Sequence, residues 1–356
     1  MRVNPSAPTR GSSLSKQLGL AERMFATPET KRLLSAIEEG LDAVEASLAA
    51  ELSFTDDLAD ATSRYLLDAG GKRVRPMLLL LTSQLGDGAV DDVITAARGI
   101  EITHLASLYH DDVMDHADRR RGVPSAHTVW GNSIAILTGD LLFARASNLM
   151  ASLGEGAIRL QAETFERLVL GQLHETVGPK DGEDARAHYL QVLADKTGSL
   201  IAAAARAGVI FSHAPTEFEQ PVVDYGEKIG VAFQLVDDVL DLSTQPEKTG
   251  KVPGTDIKAG VVTLPLISLR ERAATDPTSA ALLERIDRGA NASEDADSAD
   301  FDAAIAELRA HPATADTLAE AHRWAREAVE ALAPLPKGPI KTALTRFADS
   351  IVERSS

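Results

Sequence analysis

Residues 110–122 read HDDVMDHADRRRG and residues 233–241 read FQLVDDVLD; each run ends an apolar helical stretch with the spacing Asp-Asp-x-x-Asp. In the first, Asp111 and Asp115 stand one helical turn apart and Asp112 and Asp115 three residues apart, so the three carboxylates project to one side of a helix end. Asp237, Asp238 and Asp241 repeat the arrangement 237 − 111 = 126 residues later. Carboxylates at this density repel one another unless a cation joins them. Magnesium takes one or two carboxylates with phosphate oxygens and waters, and arginine forks suit phosphate. Arg119, Arg120 and Arg121 follow the first cluster directly. A lone aspartate run is ordinarily a solvated face. Two runs, each enclosing an apolar pair (Val113-Met114 and Val239-Leu240), would waste those apolar residues on a solvated face. Together they imply a two-sided site where metal holds an anion.

Such a site needs helices to carry it, and the apolar spacing supplies them. Leu33, Leu34, Ile37, Leu41, Val44 and Leu48 recur at steps of three and four from Thr27 onward. A second helix spans roughly 56–69 and stops at Gly70-Gly71. Pro76 opens a third, where its missing N–H costs nothing. Asp91 and Asp92 are placed to cap a long helix ending at Asp115. On that helix His104, Leu108, Asp111 and Asp115 form one stripe; Gln234, Asp237 or Asp238, and Asp241 form a similar one. Further helical patterns fall near 133–152, 157–177, 185–208, 218–243, 262–274, 279–287, 299–310, 314–333 and 337–353. Period-2 strand runs are absent. The expected fold is all-α, a bundle of ten or more helices, with residues 21–356 as one domain. The polar residues 1–20 read as a disordered tail and the acidic stretch 288–300 as a solvated insertion.

Composition narrows the function. A chain of 356 residues, 44% hydrophobic and 25% charged, has material for a large core. It contains no cysteine, which removes disulfides and thiolate chemistry and suits the cytoplasm. The net charge of −17 argues against nucleic acid as a partner. An acidic protein that binds anions must invert its field locally, through Mg²⁺ and clustered Lys and Arg. The first residues lack the apolar core of a secretory signal, and no window approaches the ~18 uninterrupted apolar residues of a membrane span.

The two aspartate runs, with GGKRVRP at 70–76, DKTG at 195–198 and GTDIKAGVVTLP at 254–265, resemble the trans-isoprenyl diphosphate synthases, or polyprenyl synthetases. The resemblance extends from about residue 65 to about 270. It implies an isoprenoid-synthase-type bundle around a central cavity, a homodimer, and condensation of isopentenyl diphosphate with an allylic diphosphate. Asp111, Asp112, Asp115, Asp237, Asp238 and Asp241 would then hold two or three Mg²⁺ that bridge the allylic diphosphate. Lys72, Arg75, His104 and Arg121 align with the isopentenyl diphosphate site. Arg120, Lys196, Thr197, Gln234 and Lys251 align with allylic contacts, and Gln172 and Glu175 lie where the family has a Gln and an acid near the metals. Arg73 and Arg119 receive no role and read as surface charges. One position departs from the pattern: many relatives carry Lys two residues before TLP, where this chain has Val261. Lys258, in the preceding turn, is the candidate substitute.

Ala106 and Ser107, one turn below Asp111, are small where family members with short products carry a bulky aromatic. The resemblance therefore implies an open tunnel and a long, hexa- to decaprenyl product for a quinone side chain. An insoluble product leaves room for peripheral membrane contact at release, although no anchoring helix is visible. A short-chain synthase making geranylgeranyl or farnesyl diphosphate is the alternative. A non-catalytic partner subunit would lack an aspartate run or the basic sites, and a terpene cyclase would not need GGKRVRP and His104.

Overall fold

The computed structural model describes residues 27–243, 253–258, 260–290 and 299–353; the tail expected at 1–20, Lys251 and residues 291–298 of the acidic stretch lie outside them. Four helices build the first wall: α1 (Pro28–Glu51), α2 (Asp57–Asp68), α3 (Val74–Ser83) and α4 (Asp91–Met114). Thr27 caps α1 by accepting the Thr30 N–H at 3.2 Å, and Asp56 caps α2 by accepting the Ala59 N–H at 2.9 Å. The cap of α4 is Val90, which offers no side-chain acceptor; Asp91 and Asp92 instead occupy the first turn, where their charge complements the helix dipole. After α4 come a short helix α5 (Ala126–Trp130), then α6 (Asn132–Ser152) and α7 (Glu155–Val177). Two further helices, α8 (Ala185–Leu193) and α9 (Ser199–Phe211), are joined by a π-helical turn at Ala194–Gly198, and α10 (Glu219–Asp241) carries the second aspartate run. The chain closes with α11 (Thr255–Lys258), α12 (Leu264–Ala273), α13 (Pro277–Ala290), α14 (Ala299–Ala310), α15 (Pro312–Ala331) and α16 (Pro339–Glu353).

The expected all-α fold is what forms, with one addition. Arg119–Arg120 pairs antiparallel with Val123–Pro124, turning through Arg121 (φ 53°) and Gly122 (φ 79°). Two successive positive φ values match the right-handed twist of a tight hairpin. Four residues of ribbon are too short for a periodic pattern to betray them.

Helix α4 is the central strut. It packs along α6 and also touches α3 and α9, while α9 in turn packs on α10, and α10 on α15. Ile100, Ile102, Leu105 and Ala106 bury α4 on several sides at once, so it has no single apolar stripe. Among the described residues α6 alone is long and apolar enough to cross a membrane; it buries Ala135, Leu142, Ala146 and Met150 within the protein. The two aspartate-bearing helices do not pack along each other. Helix α9 lies against both and holds them apart, so the clusters face across a gap.

Candidate active site

At the end of α4 the three aspartates part company. Asp112 is fully buried; its Oδ1 accepts from Arg120 Nε at 2.6 Å, and Nη2 of the same guanidinium completes the ion pair at 2.6 Å. The hairpin makes this possible: side chains alternate along a strand, so Arg120 turns inward while Arg119 is exposed and donates to the Gly122 carbonyl at 2.6 Å. Asp112 Oδ2 is buried without a hydrogen-bond partner. Asp111 faces the π-helical turn, where burial pushes its carboxyl up to about 6 and Lys196 pulls the other way. Asp115, the C-cap, is exposed.

On α10, Asp238 is buried and its Oδ2 accepts from the Tyr189 hydroxyl at 2.7 Å. Burial pushes this carboxyl up to about 8, against hydrogen bonds from Tyr189 and Gln234 that favour the charge. Asp241 Oδ2 accepts the Asp256 N–H at 3.2 Å, and its backbone carbonyl accepts the Gly254 N–H at 3.0 Å, tying α11 to the end of α10. Asp237 is half-buried beside them.

The π-helical turn inserts between the two clusters. Lys196 pairs with Glu175 of α7, and Asp195 accepts from Arg167 at 2.9 Å. Backbone proximity fixes the turn: a Cβ on Gly171 would lie 2.6 Å from the Lys196 nitrogen, and one on Gly230 2.5 Å from the Gly198 Cα. The glycines thus let α7 and α10 clamp the turn that aims Lys196 and the half-buried Thr197. Gln172, on α7 below Glu175, is buried with its Oε1 unpartnered.

A cavity of about 820 Å³ opens here, lined by Asp115, His116, Gln172, Glu175, Tyr189 and Val261 among others. Among the described residues, no three carboxylates or imidazoles already converge enough to share a cation. The donors nonetheless suit a hard cation. They are oxygens, two of them buried and unpartnered (Asp112 Oδ2 and Gln172 Oε1), and burial raises three of the carboxyls, those of Asp111, Asp112 and Asp238. Lys258 stands apart from this set, with its ammonium 4.8 Å above the centre of the Phe301 ring.

The basic residues gather beside the first aspartate cluster: His104 stands two turns before Asp111 on the same stripe of α4, and Arg75 lies within charge range of Asp111. Arg75 is enclosed, its Nε unpartnered, and burial pulls its guanidinium down to about 10. Arg121 donates to the Leu66 carbonyl at 2.6 Å. Burial, then the neighbouring Arg75 and Arg121, holds His104 well below the ordinary imidazole value, as a neutral ring. Lys72 is exposed at the rim. Arg73 is no surface charge: it grips Glu45 through two bonds of 2.7 and 2.8 Å and reaches Glu101 at 3.3 Å. A left-handed backbone (φ 50°) turns Arg73 back into the protein, which no local pattern announces.

Beneath Asp111, Ala106 and Ser107 are both buried, and Ser107 Oγ donates to the His104 carbonyl at 2.9 Å. Steps of four lead from Asp111 through Ser107 and Thr103 to Gly99, ~18 Å along the helix at ~1.5 Å per residue. A void of about 10 Å³ lies there, lined by Gly99, Ile100, Thr103, Met150, Leu160 and others. Met150 of α6 presses on this stripe, since a Cβ on Gly99 would meet its Sδ at 2.8 Å.

Three contributors escaped the sequence reading: Tyr189, Glu101 and Met150. Glu101 left a signal, an acid inside the apolar run RGIEITHL. Tyr189 and Met150 left none, because their roles depend on which helices meet.

The polyprenyl synthetase family model matches residues 56–302. The chain is 41% identical over 322 residues to nonaprenyl diphosphate synthase of Mycobacterium tuberculosis, covering 90% of this chain and 94% of that one. Its fold superposes on a polyprenyl synthase of Caulobacter crescentus, solved with calcium and isoprenyl diphosphate, with TM-score 0.83 at 32% identity over 92% of this chain and 98% of that one. A geranylgeranyl pyrophosphate synthase of Corynebacterium glutamicum, likewise solved with calcium and isoprenyl diphosphate, matches with TM-score 0.78 at 38% identity over 93% and 99%. The chain therefore belongs to the polyprenyl synthetase family and is, with it, a prenyl-transferring enzyme.

Proposed function

We propose that this enzyme condenses isopentenyl diphosphate with an allylic diphosphate to build a long-chain, hexa- to decaprenyl, diphosphate. The observation that carries this reading is the presence of two neighbouring anion-binding flanks, one acidic and one basic. One flank has the aspartates with Lys196, and the other has Arg75, Arg121 and His104. One diphosphate needs one flank; two diphosphate substrates need both.

On the first flank Asp111, Asp112, Asp115, Asp237, Asp238 and Asp241 would hold two or three Mg²⁺, consistent with the calcium and isoprenyl diphosphate found together in the Caulobacter relative. When bound, the metal supplies electrostatic stabilisation to the departing diphosphate. Lys196, Arg120, Thr197 and Gln234 surround the same diphosphate, with Gln172 and Glu175 as lesser contributors; Lys251, outside the described residues, keeps the role that the resemblance implies, and Lys258, held over Phe301, is left out. The allylic C–O bond breaks, the isopentenyl double bond attacks the allylic carbon to form the new C–C bond, and a proton leaves to the released diphosphate. Lys72, Arg75, His104 and Arg121 hold the isopentenyl diphosphate during this exchange. A neutral His104 can hydrogen-bond to its phosphate without adding charge.

Chain length follows from what lies under Asp111. Ala106 and Ser107 admit the growing chain, and Met150, a flexible side chain, stands at the end of the Asp111–Gly99 stripe. The nonaprenyl relative supports the long product. The geranylgeranyl relative supports the shorter one, with Met150 acting as a closed floor. Helix α7 exposes Val169, Leu170, Leu173 and Val177 at steps of one, three and four, and α6 exposes Ile136 and Leu137; these faces suit a homodimer. A cytoplasmic enzyme acting as one domain over 21–356, with a quinone side chain as destination and peripheral membrane contact at release, completes the reading.

The test is transfer of label from isopentenyl diphosphate into farnesyl diphosphate by the purified protein. Incorporation with Mg²⁺ that stops with EDTA supports the proposal; absence of incorporation with every allylic primer overturns it.

A further inference from the structure

Three guanidiniums, those of Arg73, Arg75 and Arg121, share the space between α3, the hairpin and α4, and they share one buried carboxylate, Glu101. Its side chain is 2% exposed, and Arg73 Nη1 approaches it at 3.3 Å. Glu101 also gives Arg75 and Arg121 their largest favourable charge interaction. The crowding is severe. Arg73 Nη1 and Arg121 Nη2 lie 2.5 and 3.0 Å from where a Cβ on Gly71 would stand, so the two cations occupy the room that this glycine leaves. Three arginines face two carboxylates at close quarters, Glu101 and the half-exposed Glu45, with Asp111 the next acid within range of Arg75. The buried, unpartnered Arg75 Nε is a donor that an anion would complete.

We propose that Glu101 is the positioning residue of the isopentenyl diphosphate pocket: together with Glu45 it claims Arg73, and it holds Arg75 and Arg121 close enough together to bind one diphosphate. The inference rests on the two-substrate reading above. Glu101 touches no substrate itself. It works by screening repulsion between two cations that must converge on the same anion, and Arg73 acts as the brace that fixes it. Loss of the carboxylate would let Arg75 and Arg121 separate, whereas Asp112, held by Arg120, and Asp238, held by Tyr189, would keep their geometry.

The experiment compares wild type, Glu101→Gln, Glu101→Asp and Glu45→Gln in steady-state assays, each substrate varied with the other saturating. For Glu101→Gln the KM for isopentenyl diphosphate is expected to rise about tenfold, the change of roughly 1.4 kcal/mol that one charged contact supplies. The KM for the allylic substrate should stay within about twofold. Glu101→Asp should recover part of the loss by retaining the charge, and Glu45→Gln should raise the same KM by a smaller factor. A KM for isopentenyl diphosphate that is unchanged or lower in Glu101→Gln overturns the proposal, because Glu101 would then only subtract positive charge. A rise in both KM values together with loss of helical circular dichroism assigns it a merely structural role and also overturns it. If Glu101→Gln does not fold, Glu45→Gln decides, and an unchanged KM there is the contrary result. A wild type that condenses nothing sinks the two-substrate reading itself, whereas an active wild type with an indifferent Glu101→Gln sinks the positioning role alone.

Discussion

The Tyr189 hydroxyl donates to Asp238 Oδ2 at 2.7 Å, joining α8 to the second aspartate cluster at the back of the cavity. This bond fixes one carboxylate oxygen, and Gln234 bonds to the same carboxylate. Tyr189→Phe removes the donor while keeping the ring in its buried place. A charged hydrogen bond of ~1.5–3 kcal/mol is lost, so kcat/KM for the allylic substrate should fall roughly tenfold or more. The Mg²⁺ concentration needed for half-maximal rate should rise with it. Titration of the variant with Mg²⁺ checks this, and an unchanged Mg²⁺ requirement would count against the role given to Asp238.

Burial raises the folded-state values of Asp111 to about 6 and Asp238 to about 8 from an ordinary 3.8. The sign follows from proton binding. Between 3.8 and these values the folded, metal-free protein holds protons that the unfolded chain has released, so these two groups lower its stability as pH rises through that window. Asp238→Asn removes the larger contribution. The difference in melting temperature without metal, variant minus wild type, should widen from about pH 4 to about pH 8 and level off above it, while activity is lost. Differential scanning across pH measures the difference; a gap that does not grow with pH would refute the assignment. Mg²⁺ should stabilise wild type more at pH 8 than at pH 6.

The π-helical turn carrying Lys196 depends on a close backbone approach. Gly230→Ala would put a Cβ 2.5 Å from the Gly198 Cα. Overpacking of this kind costs roughly 1–3 kcal/mol, and backbone atoms yield less than side chains. The melting temperature should fall by several degrees, and the KM for the allylic substrate should rise because Lys196 and Thr197 are displaced. Wild-type values for both would show that the turn is not clamped there.

Ala106→Phe and Met150→Ala should move product size in opposite directions. The phenyl ring blocks the path one turn below Asp111, and truncating Met150 enlarges the void next to Gly99. Sizing the dephosphorylated products by chromatography reads both. Identical product distributions in the two variants and wild type would place the chain elsewhere.

Much of this site was legible because its chemistry is local. Asp111 and Asp115, or Asp237 and Asp241, are set by helical spacing, and the apolar steps that predict α1, α6 and α10 need no tertiary knowledge. What stayed hidden depends on backbone reversals and on distant helices meeting. The three aspartates of α4 read as one face, yet the hairpin brings Arg120 back to Asp112 and takes that carboxylate out of the row. Arg73 read as a surface charge until its left-handed backbone turned it onto Glu45 and Glu101. Asp91 looked like a cap, but the chain enters α4 one residue earlier. Tyr189 is separated from Asp238 by forty-nine positions, and only the packing of α8 beside α10 connects them.

The most direct measurement of the central claim is the length of the product. Purified protein would receive Mg²⁺, labelled isopentenyl diphosphate and geranyl, farnesyl or geranylgeranyl diphosphate, and the dephosphorylated products would be sized. The account predicts chains longer than geranylgeranyl from each primer that is accepted. Elongation that halts at geranylgeranyl would contradict it, leaving the condensation chemistry in place and making Met150 the floor of a closed pocket.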